Sequence, residues 1–270
     1  MSSVTGKLAD SKKKRFTETM IRLFVFVFKV NLQEAEKTKP SEYICFNDFF
    51  TRKLKPGARP EPTLPNEIAM PADGTISQIG AVENNTLLQA KGTRYSVFER
   101  LGNDKSLSER FDGGGFCTIY LAPNNYHRIH QPITGRPRHL HYSPGALYSV
   151  NNATTRFLPN LFCRNERVAI VYENHWGYSA LVMVGALNVG SINIAMGEEN
   201  WLTNRPIPSI AKSRTDMLDM PLVRRGEEIG FFKMGSTVIF LLSKGSWNWE
   251  ENLRAGIGVR VGQTLATYHD

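Results

Sequence analysis

The sequence predicts an α+β fold, with a mainly antiparallel β body, barrel- or sandwich-like, behind a helical N-terminal region. Three observations lead there. Short β-branched and aromatic runs recur along the body and are separated by turn signals such as Asn84-Asn85, Gly113-Gly114-Gly115, Ser143-Pro144-Gly145 and His175-Trp176-Gly177. No helix-length amphipathic segment alternates with these runs, as a parallel Rossmann-type sheet would require. The first 45 residues, by contrast, are Lys/Glu-rich with few breakers until Lys39-Pro40, and read as helical.

Taken in order, residues 1–52 form the N-terminal region. It carries Lys12-Lys13-Lys14-Arg15 and then the uninterrupted apolar run Leu23 to Phe28, bounded by Arg22 and Lys29. A spanning helix needs about 20 apolar residues, so this run is too short to cross a bilayer. A basic cluster beside a short Phe-rich segment suits a helix lying in an anionic lipid interface, and it also suits one packed on the protein's own core. KLKPGARPEPTLPN, with four prolines and a glycine, makes residues 53–66 a connector. Residues 67–270 are the β-rich body, with strands expected at 74–82, 116–122, 167–173, 179–196 and 237–243.

Composition narrows the class. The chain has 270 residues, 41% hydrophobic and 21% charged, with a net charge of +8. Residues 1–60 hold 13 Lys/Arg against 6 Asp/Glu, so the basicity belongs to the N-terminal segment. No basic, aromatic-interleaved pattern continues into the body, which argues against nucleic acid as a partner. Three cysteines (Cys45, Cys117, Cys163), with no CxxC spacing, argue against a disulfide framework and for a reducing compartment. No secretory signal is visible in the polar, basic stretch Met1 to Phe16.

Three polar clusters carry the chemistry. In MPADGTI (70–76) Asp73 precedes Gly74, which alone is a routine turn pair. In APNNYHRIHQP (122–132) His127 and His130 follow an apolar strand. Their spacing shares one face of a helix, or lets them converge from a turn. A metal site drawing on His139 and His141 is the weaker reading, since no carboxylate or cysteine set accompanies them and Arg136 and Arg138 oppose a cation. In FFKMGSTVIFLL (231–242) a Gly-Ser-Thr step interrupts a buried run. A serine hydroxyl needs a base, and the base an orienting group. Asp73, His130 and Ser236 supply the three types, yet Met234-Gly235-Ser236-Thr237-Val238 lacks the GxSxG elbow of a hydrolase. The nearest electrophile to Ser236 is the Gly235 carbonyl.

With these clusters in place, the chain resembles the phosphatidylserine decarboxylases, pyruvoyl-dependent enzymes, and most closely their bacterial, membrane-associated branch. FNDFFTRKLKPGARP, MPADGTISQIG, LLQAKGTRYS, YHRIHQP, YSPGALYSVN, LPNLFCRNERV and FKMGSTV carry the likeness over nearly the whole chain. The resemblance implies self-cleavage between Gly235 and Ser236 into a β chain (1–235) and an α chain (236–270), with Ser236 converted to the pyruvoyl cofactor. It further implies His130 as the base, Asp73 as its orienting group, and His127 as the residue that positions substrate or donates a proton. The pyruvoyl carbonyl would form a Schiff base with phosphatidylserine and act as electron sink for its decarboxylation to phosphatidylethanolamine and CO2. A peripheral place on the cytoplasmic side of the cell membrane, no metal, and a homodimer of αβ units are expected in the same way. The chain reads Met234 where the family has Leu, a change of similar volume. Only six residues precede Lys7, where the branch commonly carries a further hydrophobic segment, so weaker attachment through Met20 to Val30 or a trimmed chain is expected. The rival expectations are a Ser-His-Asp hydrolase of lipid esters without self-cleavage, and a non-catalytic β domain that binds a lipid surface through its basic arm.

Overall fold

A computed structural model of the chain describes residues 8–88, 94–146, 148, 165–186, 192–196, 199–202, 212–214, 217, 220–233 and 236–269. The N-terminal region holds helices α1 (Lys14–Phe28) and α2 (Phe46–Phe50), with a 3-10 turn at Pro40–Glu42 between them. Helix α1 stops where Lys29 turns left-handed (φ 54°) and its N–H closes onto the Val25 carbonyl. The helical reading of residues 1–45 holds for Lys14–Phe28 and is corrected beyond it: past Lys29 the chain is irregular as far as the 3-10 turn, and Ala35 bridges to Leu54. No described helix is long and apolar enough to cross a membrane.

The body is built from strands β1 (Glu67–Ala69), β2 (Gly74–Glu83), β3 (Thr86–Leu88), β4 (Arg94–Ser96), β5 (Gly115–Leu121), β6 (Arg128–His130), β7 (Gly135–Ser143), β8 (Arg167–Asn174) and β9 (Gly177–Gly185). It continues with β10 (Ile192–Met196), β11 (Glu199–Leu202), β12 (Lys212–Arg214), β13 (Glu228–Phe232), β14 (Ser236–Leu242), β15 (Trp247–Trp249), β16 (Gly258–Val259) and β17 (Thr264–Tyr268). Two short helices, α3 (Val97–Arg100) and α4 (Lys105–Glu109), were not anticipated; capping by Ser96 and Asp104 defines their starts. The expected strand 179–196 proves to be two, β9 and β10, with 187–191 outside the described residues.

The main sheet runs β12-β7-β8-β9-β14-β5-β2-β3-β4, with β16 paired to β2; smaller sheets run β11-β10-β13-β6 and β1-β17-β15. The strand pairings are antiparallel. Strand β14 is buried on both faces, which explains its near-continuous apolar sequence. Val238, Phe240 and Leu242 enter one core, together with Ile129, Ile229 and Phe232 of the small sheet, while Ile239 and Leu241 enter a second core on the other face. By the same alternation Ser236 is on the face of the first core. A third cluster, Ile21 with Phe46, Phe49 and Phe50, fastens α1 to α2.

Candidate active site

The Asp73 and Ser236 clusters flank the C-terminal end of β5, and the His127–His130 cluster follows it in the chain. Leu121, the last residue of β5, is opposite Ser236, the first residue of β14, while Tyr120 pairs with Thr237 on one side and Thr75 of β2 on the other. Asp73 and Ser236 thus stand two strands apart at one end of the sheet, about 10 Å by strand spacing. Asp73-Gly74 is more than a turn pair. A Cβ on Gly74 would lie 2.4 Å from the Tyr120 carbonyl oxygen, so the close approach of β2 to β5 requires glycine. The turn that follows β5 carries Tyr126 and His127 into β6.

Ser236 is fully buried, and its hydroxyl has no protein hydrogen-bond partner. Gly235 and Met234, the other half of the expected cleavage site, lie outside the described residues. His127 is also fully buried. Its Nδ1–H donates to the Asn125 carbonyl at 2.9 Å, which leaves Nε2 as a buried lone pair without a protein partner. Burial first, and the Arg52 charge second, push its pKa down to about 3, against the pull of the Asn125 carbonyl, so the ring is neutral. Its face packs on Phe50, with ring centroids 4.1 Å apart.

His130 occupies a different environment. Its Nδ1–H donates to the Gly226 carbonyl at 2.7 Å, and its Nε2 accepts from the Tyr126 hydroxyl at 3.0 Å. Tyr126 stays protonated, since burial pushes its pKa up. His130 lines a cavity of about 90 Å³ with Arg59, Gln131 and Gly226. Neither the shared helical face nor the convergent turn is found. Three residues apart on extended chain, the two histidines diverge, one toward Phe50 and the other toward Gly226.

Asp73 does not hydrogen-bond His130. Arg59 grips its carboxylate in a fork (Nε–Oδ1 2.9 Å, Nη2–Oδ2 2.6 Å), and the Val261 N–H donates to Oδ1 at 2.8 Å. Arg59 also pairs with Glu34 at 2.9 Å. Burial works against the Arg59 charge, but Asp73 and Glu34 more than restore it. The reason is geometric: a guanidinium fork satisfies both carboxylate oxygens, while the backbone carbonyl of Gly226 already occupies the His130 donor. His139 and His141 lie on β7, and among the described residues no group of three metal-ligating side chains gathers.

Sequence reading missed Arg59, Tyr126 and Gly226. Arg59 sat in the quoted FNDFFTRKLKPGARP and Tyr126 in YHRIHQP, but neither type announces a role by spacing alone.

A fully buried serine without a protein partner at the start of β14, and a neutral buried histidine in the turn after the neighbouring strand β5, are features expected of an enzyme with a dry site. The model of the phosphatidylserine decarboxylase family matches residues 46–267. The chain is 42% identical over 266 residues to a phosphatidylserine decarboxylase proenzyme of Hahella chejuensis, covering 98% of this chain and 88% of that one. It is 47% identical over 229 residues to the proenzyme of Alkalilimnicola ehrlichii (84% and 78%), and 42% over 270 residues to that of Pseudomonas entomophila (98% and 92%). The chain belongs to the phosphatidylserine decarboxylase family.

Proposed function

We propose that this chain is a phosphatidylserine decarboxylase proenzyme that cleaves itself between Gly235 and Ser236 and works at an anionic membrane surface. The observation that carries the reading is Ser236, buried and without a protein partner, at the first position of the central strand of a chain of this family. Its hydroxyl oxygen attacks the Gly235 carbonyl carbon and the peptide C–N bond breaks, leaving an ester and a free Ser236 amine. Loss of the Ser236 Cα proton expels the Gly235 carboxylate, and water then releases ammonia to leave a pyruvoyl group on residue 236. The site suits such a group, because the orphaned hydroxyl would give way to a methyl in apolar surroundings. When formed, it supplies an electron sink for the carbanion left as CO2 departs from phosphatidylserine.

In this reading His130 accepts the Ser236 proton, which asks Nε2 to exchange Tyr126 for the serine. The Gly226 carbonyl fixes the tautomer that leaves Nε2 as the base. Asp73 is the buried carboxylate assigned to orient that base, and it sits in a cluster with Arg59, Glu34 and Arg260 whose formal charges balance. His127 holds its lone pair in the dry site to position substrate or pass a proton to the product carbon. Membrane attachment uses the exposed face of α1, where Leu23, Phe26 and Val27 are 62%, 82% and 57% exposed beside the exposed Lys12 to Arg15.

Mass spectrometry of the denatured protein tests the reading. Two chains are expected, the smaller lighter by one ammonia than the peptide starting at Ser236, and Ser236→Ala should stay whole. A single intact chain that turns over ester substrate would establish the hydrolase instead.

A further inference from the structure

We propose that Arg52 is the anchor for the phosphodiester of the substrate head group, placed beside His127 at the junction of the N-terminal helices with the β body. The assignment rests on the decarboxylase reading above and deepens it.

Arg52 is 5% exposed. Its Nη2 donates to the Asn124 and Asn125 carbonyls at 2.9 and 3.1 Å, while Nε and Nη1 are buried with no protein partner. Where Arg59, Arg128 and Arg138 each face a carboxylate, Arg52 has no acid within ion-pair distance among the described residues and instead sits over the Phe49 ring at 5.5 Å. A buried guanidinium cannot shed its charge, so leaving two of its donors unmet is costly unless an anion arrives.

Its position says which site that anion serves. The Asn125 carbonyl that accepts from Arg52 also accepts from His127 Nδ1, so both side chains converge on one oxygen. Arg52 follows α2, whose Phe50 stacks on His127 and on whose other side lies Phe24 of the membrane-facing helix (centroids 6.1 Å). Arg52 also lines a cavity of about 160 Å³ whose other charged groups are Glu36, Lys37, Asp48, Lys53 and Arg128. Lys37 neutralises Asp48 at 2.8 Å and Glu228 neutralises Arg128, which leaves Arg52 and Lys53 facing Glu36 alone. The balance favours an anion.

The substrate offers two anions, a carboxylate and a phosphodiester. A guanidinium clamped on the carboxylate would stabilise the charge that must be lost as CO2 leaves, and so would oppose the reaction. The phosphodiester keeps its charge throughout, and its oxygens match the guanidinium fork.

The test uses the full protein. Arg52→Gln and Arg52→Lys are assayed for self-cleavage, melting temperature, and decarboxylation of phosphatidylserine in mixed micelles, with glycerophosphoethanolamine, a phosphodiester without a carboxylate, as competitive inhibitor. Arg52→Gln should cleave normally, raise KM tenfold or more with kcat within threefold, and lose inhibition by the same factor. Arg52→Lys should recover part of both. Unchanged KM and inhibition would overturn the anchor. A raised KM with unchanged inhibition would overturn the phosphodiester in favour of the carboxylate. If Arg52→Gln and Arg52→Lys both fail to cleave or melt early, Arg52 is a structural clamp and the proposal is overturned. A wild-type protein that is cut but inert on phosphatidylserine defeats the decarboxylase reading rather than the anchor.

Discussion

Replacing Leu23, Phe26 and Val27 by serine should detach the protein from anionic vesicles without loosening its fold. Burying such side chains completely is worth roughly 1.5–3 kcal/mol each. Scaling by the exposed fractions of 62%, 82% and 57% leaves about 4 kcal/mol available to a lipid interface. An interfacial helix immerses only part of that face, so about 2 kcal/mol is the expected loss, or roughly 30-fold in partitioning. Because the three side chains already face solvent in the free protein, the cost to folding should stay within about 0.5 kcal/mol. The assay is sedimentation with phosphatidylglycerol-containing vesicles across lipid concentration, run beside a thermal melt. High salt should weaken the wild type as well, since the basic cluster Lys12 to Arg15 acts through a screened attraction. Partitioning of the triple variant within threefold of wild type, with an unchanged melt, would refute the interfacial placement of α1.

Two further predictions concern the histidines. His130→Ala should block appearance of the two chains on a denaturing gel, while His127→Ala should spare cleavage and lower decarboxylation of the processed enzyme at least tenfold; the reverse ordering removes the roles proposed for them. The second is a pH dependence. His127 is depressed from 6.5 to about 3, so between those values the unfolded chain binds a proton that the folded one refuses. Its contribution is therefore intact above pH 6.5 and is lost as pH falls, by up to about 1.4 kcal/mol per unit. Guanidinium unfolding of the uncut Ser236→Ala chain from pH 7 to 5 should show that slope, and His127→Gln should flatten it; equal slopes in the two proteins would refute the buried, neutral state.

The strand pattern was legible from short β-branched and aromatic runs bounded by turn signals, since alternation is lost where a sheet has cores on both faces. Residues 238–242 look uniformly apolar in sequence, and the structure explains why, sending Val238, Phe240 and Leu242 one way and Ile239 and Leu241 the other. Residues 1–45 were misread as continuous helix because composition ignores the left-handed stop at Lys29 and the bridge from Ala35 to Leu54. For the proposed site, residue type pointed to Ser236, His127, His130 and Asp73, but pairing depends on tertiary competition. An arginine 14 residues upstream, Arg59, takes Asp73, and a carbonyl 96 residues downstream takes His130 Nδ1. No local pattern encodes contacts of that kind.

The energetics of the unpaired atoms argue that this end of the sheet is organised for chemistry. Ser236 Oγ at the start of β14, and His127 Nε2 and two nitrogens of Arg52 around the Asn124 to His127 turn that follows β5, are buried without protein partners. Each such atom costs about 1–3 kcal/mol. Together they amount to a sizeable part of the 5–15 kcal/mol by which a domain is typically stable. A chain shaped by stability alone would carry alanine at 236 and an aliphatic residue at 52. The fold tolerates them because β14 is held in seven-residue register by β5 on one side and β9 on the other, with a packed core against each face. Reaction at Ser236 removes one of these unmet groups, and substrate at Arg52 and His127 would satisfy the rest of the set, so their cost is relieved by the two events the site is proposed to perform.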